Sequence, residues 1–224
     1  MKPSSFALFF LFAIIASSAK AQFVLDVKGN IVVNGGTYYI IPYIWALGGG
    51  LGLAKTGNEA CPLSVVQSPA EVDNGLPWTI MSPLRILHIT TNTRLDFFAV
   101  KGKVPSCVPV PSKWTIVEGD DGISCVPVPS KWTIVEGDDG IKYVKIRGFK
   151  NTLQGWFKIQ KYNSIAYKIV FCPVNGDSCR NLGISRDEHG KRFLVITDDP
   201  LVVIFVKVES SEVSEQVIKN VVEA

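Results

Sequence analysis

Histidine and methionine are scarce in this 224-residue chain, two of each, and several chemistries are excluded with them. His88 and His189 cannot by themselves build a multi-histidine metal centre, and no Cys-x-x-Cys spacing offers thiolates instead. Gly-x-Ser-x-Gly, His-Glu-x-x-His and a glycine-rich phosphate loop are all missing, and paired acids occur only in turn contexts. No motif argues for an enzyme, a metal or a cofactor. Charge of one sign is also lacking. The formal net charge is +3, and it falls to +1 when the basic residues of the first 21, Lys2 and Lys20, are set aside. A nucleic-acid binder is expected to carry a basic stripe or a strongly basic domain, and this chain carries neither. No Asn-x-Ser/Thr acceptor occurs, so N-glycosylation is not expected.

Long apolar runs are confined to the beginning. Phe6 to Ala16 is apolar but too short to span a bilayer, Lys2 precedes it, and Ala19-Lys20-Ala21 follows as a small-x-small cleavage site. Residues 1–21 therefore read as a secretory signal peptide, with a mature chain from Gln22 that is exported, extracellular or vacuolar, with no membrane partner. The remaining 203 residues suffice for one sizeable core. A 47% hydrophobic, 10% aromatic composition excludes disorder for most of them.

Strand-like runs dominate: Thr37 to Ile44, Leu63 to Gln67, Arg85 to Ile89, Leu95 to Val100, Lys142 to Ile146, Trp156 to Lys161, Ala166 to Phe171, Arg192 to Ile196 and Leu201 to Val208. Turn sequences such as Asn34-Gly35-Gly36, Asp73-Asn74-Gly75 and His189-Gly190 separate them. Many short strands with no amphipathic helix between them predict an all-β barrel or sandwich. The one segment with helical promise is Ser210 to Ala224, acidic and poor in apolar residues, and the tail 209–224 reads as a frayed or removable end.

Residues 106–123 (SCVPVPSKWTIVEGDDGI) recur letter for letter as 124–141. Two copies do not make a repeat architecture, which needs several units to bury a core. A recent tandem duplication and an assembly error both account for identity without divergence. Trp114 and Trp132 compete for one core position, and the surplus copy is expected to bulge out as a surface loop, which costs little closure entropy. Either copy could be the seated one.

Five cysteines in an exported chain leave one over, and the duplication explains the excess because Cys107 and Cys125 are the same residue twice. Two disulfides are expected: Cys172 with Cys179, and Cys61 with Cys107 or Cys125. Loop closure assigns them roughly 2 to 3 and about 4 kcal/mol respectively.

From Phe23 to Val208 the chain resembles the Kunitz-type soybean trypsin inhibitor family of plants. The resemblance rests on Val24, Asp26, Gly29, Val32, Tyr38 and Ile40 within VLDVKGNIVVNGGTYYI. The blocks Cys61 to Gln67, Trp156 to Ile159, Tyr167 to Cys172 and Leu194 to Leu201 support it. The duplicated block is foreign to the family pattern, and Thr197 to Pro200 is one residue short before its proline.

The resemblance implies a single-domain β-trefoil, a monomer, and a secreted inhibitor of trypsin-like serine endopeptidases. It implies a reactive-site loop over Ser82, Pro83, Leu84, Arg85, Ile86, Leu87 and His88. Arg85 would enter the protease specificity pocket, with Arg85–Ile86 as the scissile-type bond. Cys107 follows Arg85 by 22 residues and Cys125 by 40; the family spacing fits the former, so the insertion falls after the loop. Asn34 takes the spacer role, its amide bonding loop carbonyls on both sides of that bond, although a position before Gly35-Gly36 also suits a plain turn. Alternatives are a member retargeted to cysteine or aspartic proteases or to a glycosidase, a storage or defence protein without potent inhibition, and a sugar-binding trefoil. His88 reads as a loop residue at the protease rim. Trp156-Phe157 and Phe97-Phe98 read as core, and Asp120-Asp121-Gly122 and its copy as turns.

Overall fold

The amino-terminal signature shows how this sequence makes strands. Val24 and Val32 are fully buried, and Asp26 between them holds a tight turn, its Oδ1 accepting the Lys28 and Asn30 N–H groups at 2.9 and 2.8 Å. Gly29 takes φ +81° in that turn, where a side chain would be strained. Tyr38 and Ile40 follow at a spacing of two, which puts both on the inner face of the first strand.

The computed structural model describes residues 21–55, 59, 61–100, 103, 107, 114–119, 122–127, 131–146, 151–176 and 178–209. Apart from Ala21 the expected leader lies outside these residues, as does the tail beyond Glu209. The strands are β1 (Gly36–Pro42), β2 (Leu51–Ala54), β3 (Ser64–Gln67), β4 (Pro77–Met81), β5 (Asp96–Ala99), β6 (Trp114–Gly119), β7 (Gly122–Pro127) and β8 (Thr133–Glu136). They continue as β9 (Lys142–Lys145), β10 (Thr152–Leu153), β11 (Gly155–Lys161), β12 (Tyr167–Pro173), β13 (Arg180–Arg186), β14 (Arg192–Thr197) and β15 (Val202–Lys207). The only helical element among the described residues is a 3-10 turn at Trp45–Leu47.

Thirteen strands form one antiparallel sheet in the order β10-β8-β9-β3-β14-β13-β12-β15-β1-β4-β5, with β11 on β12 and β2 on β3. The sheet curls until its ends meet. Trp132, leading into β8, donates its N–H to Phe97 of β5 at 2.9 Å, and Leu95 and Phe157 exchange backbone hydrogen bonds. Inside lies an aromatic cluster: the Trp132 ring stacks on Phe97 at 4.4 Å and meets Trp78 and Phe157 edge-on at 5.2 and 5.9 Å. Burial of these large rings, with offset and edge-to-face contacts, supplies much of the core's cohesion.

The duplicated block is divided between two uses. Trp132 of the second copy is buried and followed by β8, while Cys107 of the first copy is bonded to Cys61 with Cα atoms 5.9 Å apart. The surplus is more ordered than a plain loop. β6 and β7 pair with each other from Trp114↔Pro127 to Gly119↔Gly122, and with no other described strand. The second bridge joins Cys172 and Cys179 around the β12–β13 turn.

The all-β expectation holds, with one strand withdrawn and several added. Arg85–Ile89 forms no strand, because its backbone groups are taken up by a side chain and by isolated bridges, as described below. β2 lies in a glycine-rich stretch, β4 begins with proline and β13 (RNLGISR) is largely polar, so composition concealed them. All three are paired on a neighbouring strand, and tertiary pairing overrides local propensity.

Candidate functional site

β1 and β4 run antiparallel with Gly36 opposite Ile80. Continuing that register two residues beyond the pair places Asn34 opposite Ser82, where β4 has ended and the chain turns outward. Gly35 makes the approach possible at φ +80°, donating its N–H to the Ile80 carbonyl at 2.8 Å. The Tyr38 hydroxyl accepts the Val33 N–H at 2.9 Å, and burial pushes its pKa up, so it stays neutral.

From this position the Asn34 side chain satisfies three backbone groups of the segment 82–88. Its Oδ1 accepts the Ser82 N–H at 2.8 Å; its Nδ2 donates to the Ile86 carbonyl at 2.8 Å and, at a longer 3.4 Å, to the Leu84 carbonyl. The two carbonyls lie on either side of Arg85. The Asn34 backbone N–H also donates to the Leu87 carbonyl at 2.9 Å. An amide side chain is the one uncharged group with two donors and an acceptor in a single plane. Aspartate could not replace it, because a carboxylate has no N–H to give.

The loop is tied internally and at both ends. The Ile86 N–H reaches back to the Leu84 carbonyl at 2.9 Å, a three-residue turn centred on Arg85. Ser82 is buried, and its hydroxyl accepts the Leu84 N–H at 3.2 Å. Pro83 has its own φ fixed and biases Ser82 to an extended form. On the far side His88 bridges to Val33 and the Ile89 N–H donates to Val32 at 2.8 Å. The Phe23 ring stands edge-on to the His88 imidazole at 5.8 Å.

The side chains, by contrast, are free. Pro83, Leu84, Arg85 and Leu87 are exposed, Leu84 and Leu87 at 55% and 69%. Among the described residues no acid forms an ion pair with Arg85. The arrangement is a convex peptide with a fixed backbone and an unneutralised guanidinium at its apex. It can be inserted into a cleft.

The chain as a whole matches a known group of proteins. The sequence profile of the legume Kunitz family, described as trypsin and protease inhibitor, matches residues 24–207. The chain belongs to the legume Kunitz family. Trypsin inhibitor 1A of Psophocarpus tetragonolobus is 42% identical to it over 84% of this chain and 98% of the relative. Trypsin inhibitor DE-3 of Erythrina variegata is 39% identical over 84% and 99%. Among solved structures, soybean trypsin inhibitor in complex with porcine pancreatic trypsin superposes with a TM-score of 0.70 at 39% identity, over 84% of this chain and all of that one. The curled antiparallel sheet of this Kunitz chain is accordingly a β-trefoil.

All seven residues 82–88 lie between β4 and β5, and Asn34 joins them across the sheet. Asn34 stands in the turn before Gly35-Gly36, and its side chain also bonds the Leu84 and Ile86 carbonyls. Of the two partners expected for Cys61, Cys107 is the one bonded, and its ring encloses the loop. Sequence reasoning missed the contact of Asn34 Oδ1 with Ser82, the Ser82 hydroxyl and the Phe23 prop; only the hydrogen-bonding capacity of asparagine and serine hinted at the first two. Phe97 and Phe157 are buried as expected, while Phe98 and Trp156 are half-buried, the latter beneath Arg94 at 5.6 Å. Asp138-Asp139-Gly140 forms a turn, with Gly140 at φ +75°; Asp120 and Asp121 lie outside the described residues.

Proposed function

We propose that this Kunitz protein is an exported inhibitor of trypsin-like serine endopeptidases, and not an enzyme, that works by substrate-like insertion of Arg85. A trypsin-like specificity pocket carries a buried carboxylate, which an arginine satisfies through a charge-assisted, bidentate contact. Insertion puts the Arg85 carbonyl before the protease serine, with Arg85–Ile86 as the bond attacked.

The observation that carries this reading is the Asn34 amide spanning the Leu84 and Ile86 carbonyls. It has two consequences. The loop is ordered before it binds, which spares roughly 0.5 to 1.5 kcal/mol for each side chain that would otherwise be immobilised. After acylation the Ile86 amine stays beside the acyl carbon, because its own carbonyl remains bonded to Asn34. Religation then competes with hydrolysis, and turnover is slow. Removal of residues 1–21 on export leaves Gln22 at the amino terminus, where its backbone nitrogen lies 3.1 Å from the Thr91 hydroxyl.

Titration of trypsin with the oxidised mature protein, beside its Arg85→Ala variant, tests the proposal. Wild type should abolish activity at stoichiometric amounts. Arg85→Ala should weaken inhibition by about 10²- to 10⁴-fold, the cost of leaving the pocket carboxylate unpaired, without unfolding the protein. Arg85→Leu should shift preference toward a chymotrypsin-like pocket. Inhibition retained by Arg85→Ala would overturn the loop assignment, and no inhibition by wild type would overturn the class.

A further inference from the structure

The two copies of the duplicated block are used unequally. The first supplies the cysteine of the long bridge, Cys107, and the second supplies the seated tryptophan, Trp132. In the chain as folded, 24 residues lie between these two, whereas each copy by itself has six between its cysteine and its tryptophan. The excess is stored in the β6–β7 hairpin, which pairs with no other described strand. Cys125 sits in that hairpin, opposite Ile116, outside both bridges.

Cys107 and Cys125 share the same local sequence, SCVPVPSKW. Only the second runs directly into the tryptophan that the core already holds. Bonding Cys125 to Cys61 therefore leaves Trp132, β8 and β9 where they are and restores the six-residue connection of a single copy. The surplus passes to the stretch before Cys125. We propose that the long bridge is isomeric, exchanging between Cys61–Cys107 and Cys61–Cys125, with the odd thiol carried by Cys125 in one form and Cys107 in the other.

The step is thiol–disulfide exchange. The Cys125 thiolate attacks the Cys61 sulfur, the Cys61–Cys125 bond forms, the Cys61–Cys107 bond breaks and Cys107 leaves as a thiolate. No oxidant is consumed. What must open is the hairpin, and among the described strands it pairs only with itself, so no described strand of the main sheet unpairs. Two effects set the balance. The ring through Cys61 grows from a separation of 46 to one of 64, which lowers closure probability by about twofold. The hairpin favours the form observed, but an isolated two-stranded hairpin is marginal in water. At equilibrium about a tenth or more of the molecules should hold the Cys61–Cys125 bridge. Both rings enclose residues 82–88, so the exchange is independent of the inhibitory reading.

The folded, oxidised protein would be equilibrated in a glutathione buffer, quenched in acid, alkylated in denaturant and digested with a lysine-specific endopeptidase. The two cysteines then fall in different peptides, Val104–Lys113 and Trp114–Lys131. Alkylation of both, with Val104–Lys113 carrying about a tenth or more of the label, is the expected result. Label confined to Trp114–Lys131 overturns the proposal. Cys107→Ser gives a second reading: it should fold with no free thiol and a Tm within a few degrees of Cys125→Ser. Two free thiols in folded Cys107→Ser, or its failure to fold where Cys125→Ser folds, also overturns it.

Discussion

Residues 82–88 and the β6–β7 hairpin both stand outside the strand ladder of the trefoil, and they are held in opposite ways. The first has almost no regular structure, yet its backbone is fixed by Asn34 from across the sheet, by the Ser82 hydroxyl from within and by bridges to Val32 and Val33 at its far end. The second has a complete antiparallel ladder from Trp114↔Pro127 to Gly119↔Gly122 and no described strand beside it. Regular secondary structure is therefore a poor guide to which excursion is tied to the trefoil. A two-stranded hairpin alone is marginal, whereas the polar backbone groups of the loop are satisfied by Asn34.

The sharpest way to break this contrast is to cut the attachment of the loop. Asn34→Ala should weaken trypsin inhibition by about 10- to 100-fold, because the ordering that Asn34 supplied must now be found on binding. It should also speed cleavage at Arg85–Ile86, read by mass spectrometry of the incubated complex. Asn34→Asp should behave alike, since it keeps the acceptor for Ser82 and loses both donors. Full inhibition by these variants would mean that the flanking bridges alone hold the loop.

A smaller effect follows from removing the other excursion. Deleting residues 114–131 shortens the Cys107-to-Trp132 connection from 24 residues to six, and should raise stability by about 1 kcal/mol in urea unfolding, with inhibition unchanged. A loss of stability would show that the hairpin is packed onto the trefoil after all.

The smallest test concerns the turn Gly137-Asp138-Asp139-Gly140 of the second copy. In the seated copy the Tyr143 hydroxyl donates to Asp139 at 2.6 Å, and burial together with that carboxylate pushes the Tyr143 pKa up to about 12. A raised pKa means the contribution is complete below the ordinary tyrosine value of 10.0 and is lost as pH rises from there to about 12. Tyr143→Phe should cost about 0.5 kcal/mol at pH 8, the exposed pair being screened. The gap between variant and wild type should close by pH 12. A gap that persists would place the contribution in ring packing against Phe193 instead, the two rings being 5.5 Å apart.

How much could be read from the chain differs from place to place. The signature residues Val24, Val32, Tyr38 and Ile40 proved to be core, and Asp26 and Gly29 a turn, because spacing and turn chemistry are local matters. The segment Arg85–Ile89 looked like a strand for the same local reason, being rich in apolar and β-branched residues. Its backbone went elsewhere because Asn34, 48 residues before Ser82, occupies the groups a neighbouring strand would have used. β13 was hidden by its polarity and exists because β12 and β14 flank it.

The duplicated block divides the two kinds of information most plainly. By itself the sequence determined that one tryptophan and one cysteine of the pair would be surplus and that the chain would be all-β. These follow from composition and counting; the loop that carries Arg85 is implied by the family resemblance, since local pattern alone reads Arg85 to Ile89 as a strand. Only the tertiary structure decided that the seated cysteine comes from one copy and the seated tryptophan from the other, and that the Asn34 side chain also accepts the Ser82 N–H. Identical copies have identical local preferences, so the choice between them can come only from how the rest of the chain closes around them.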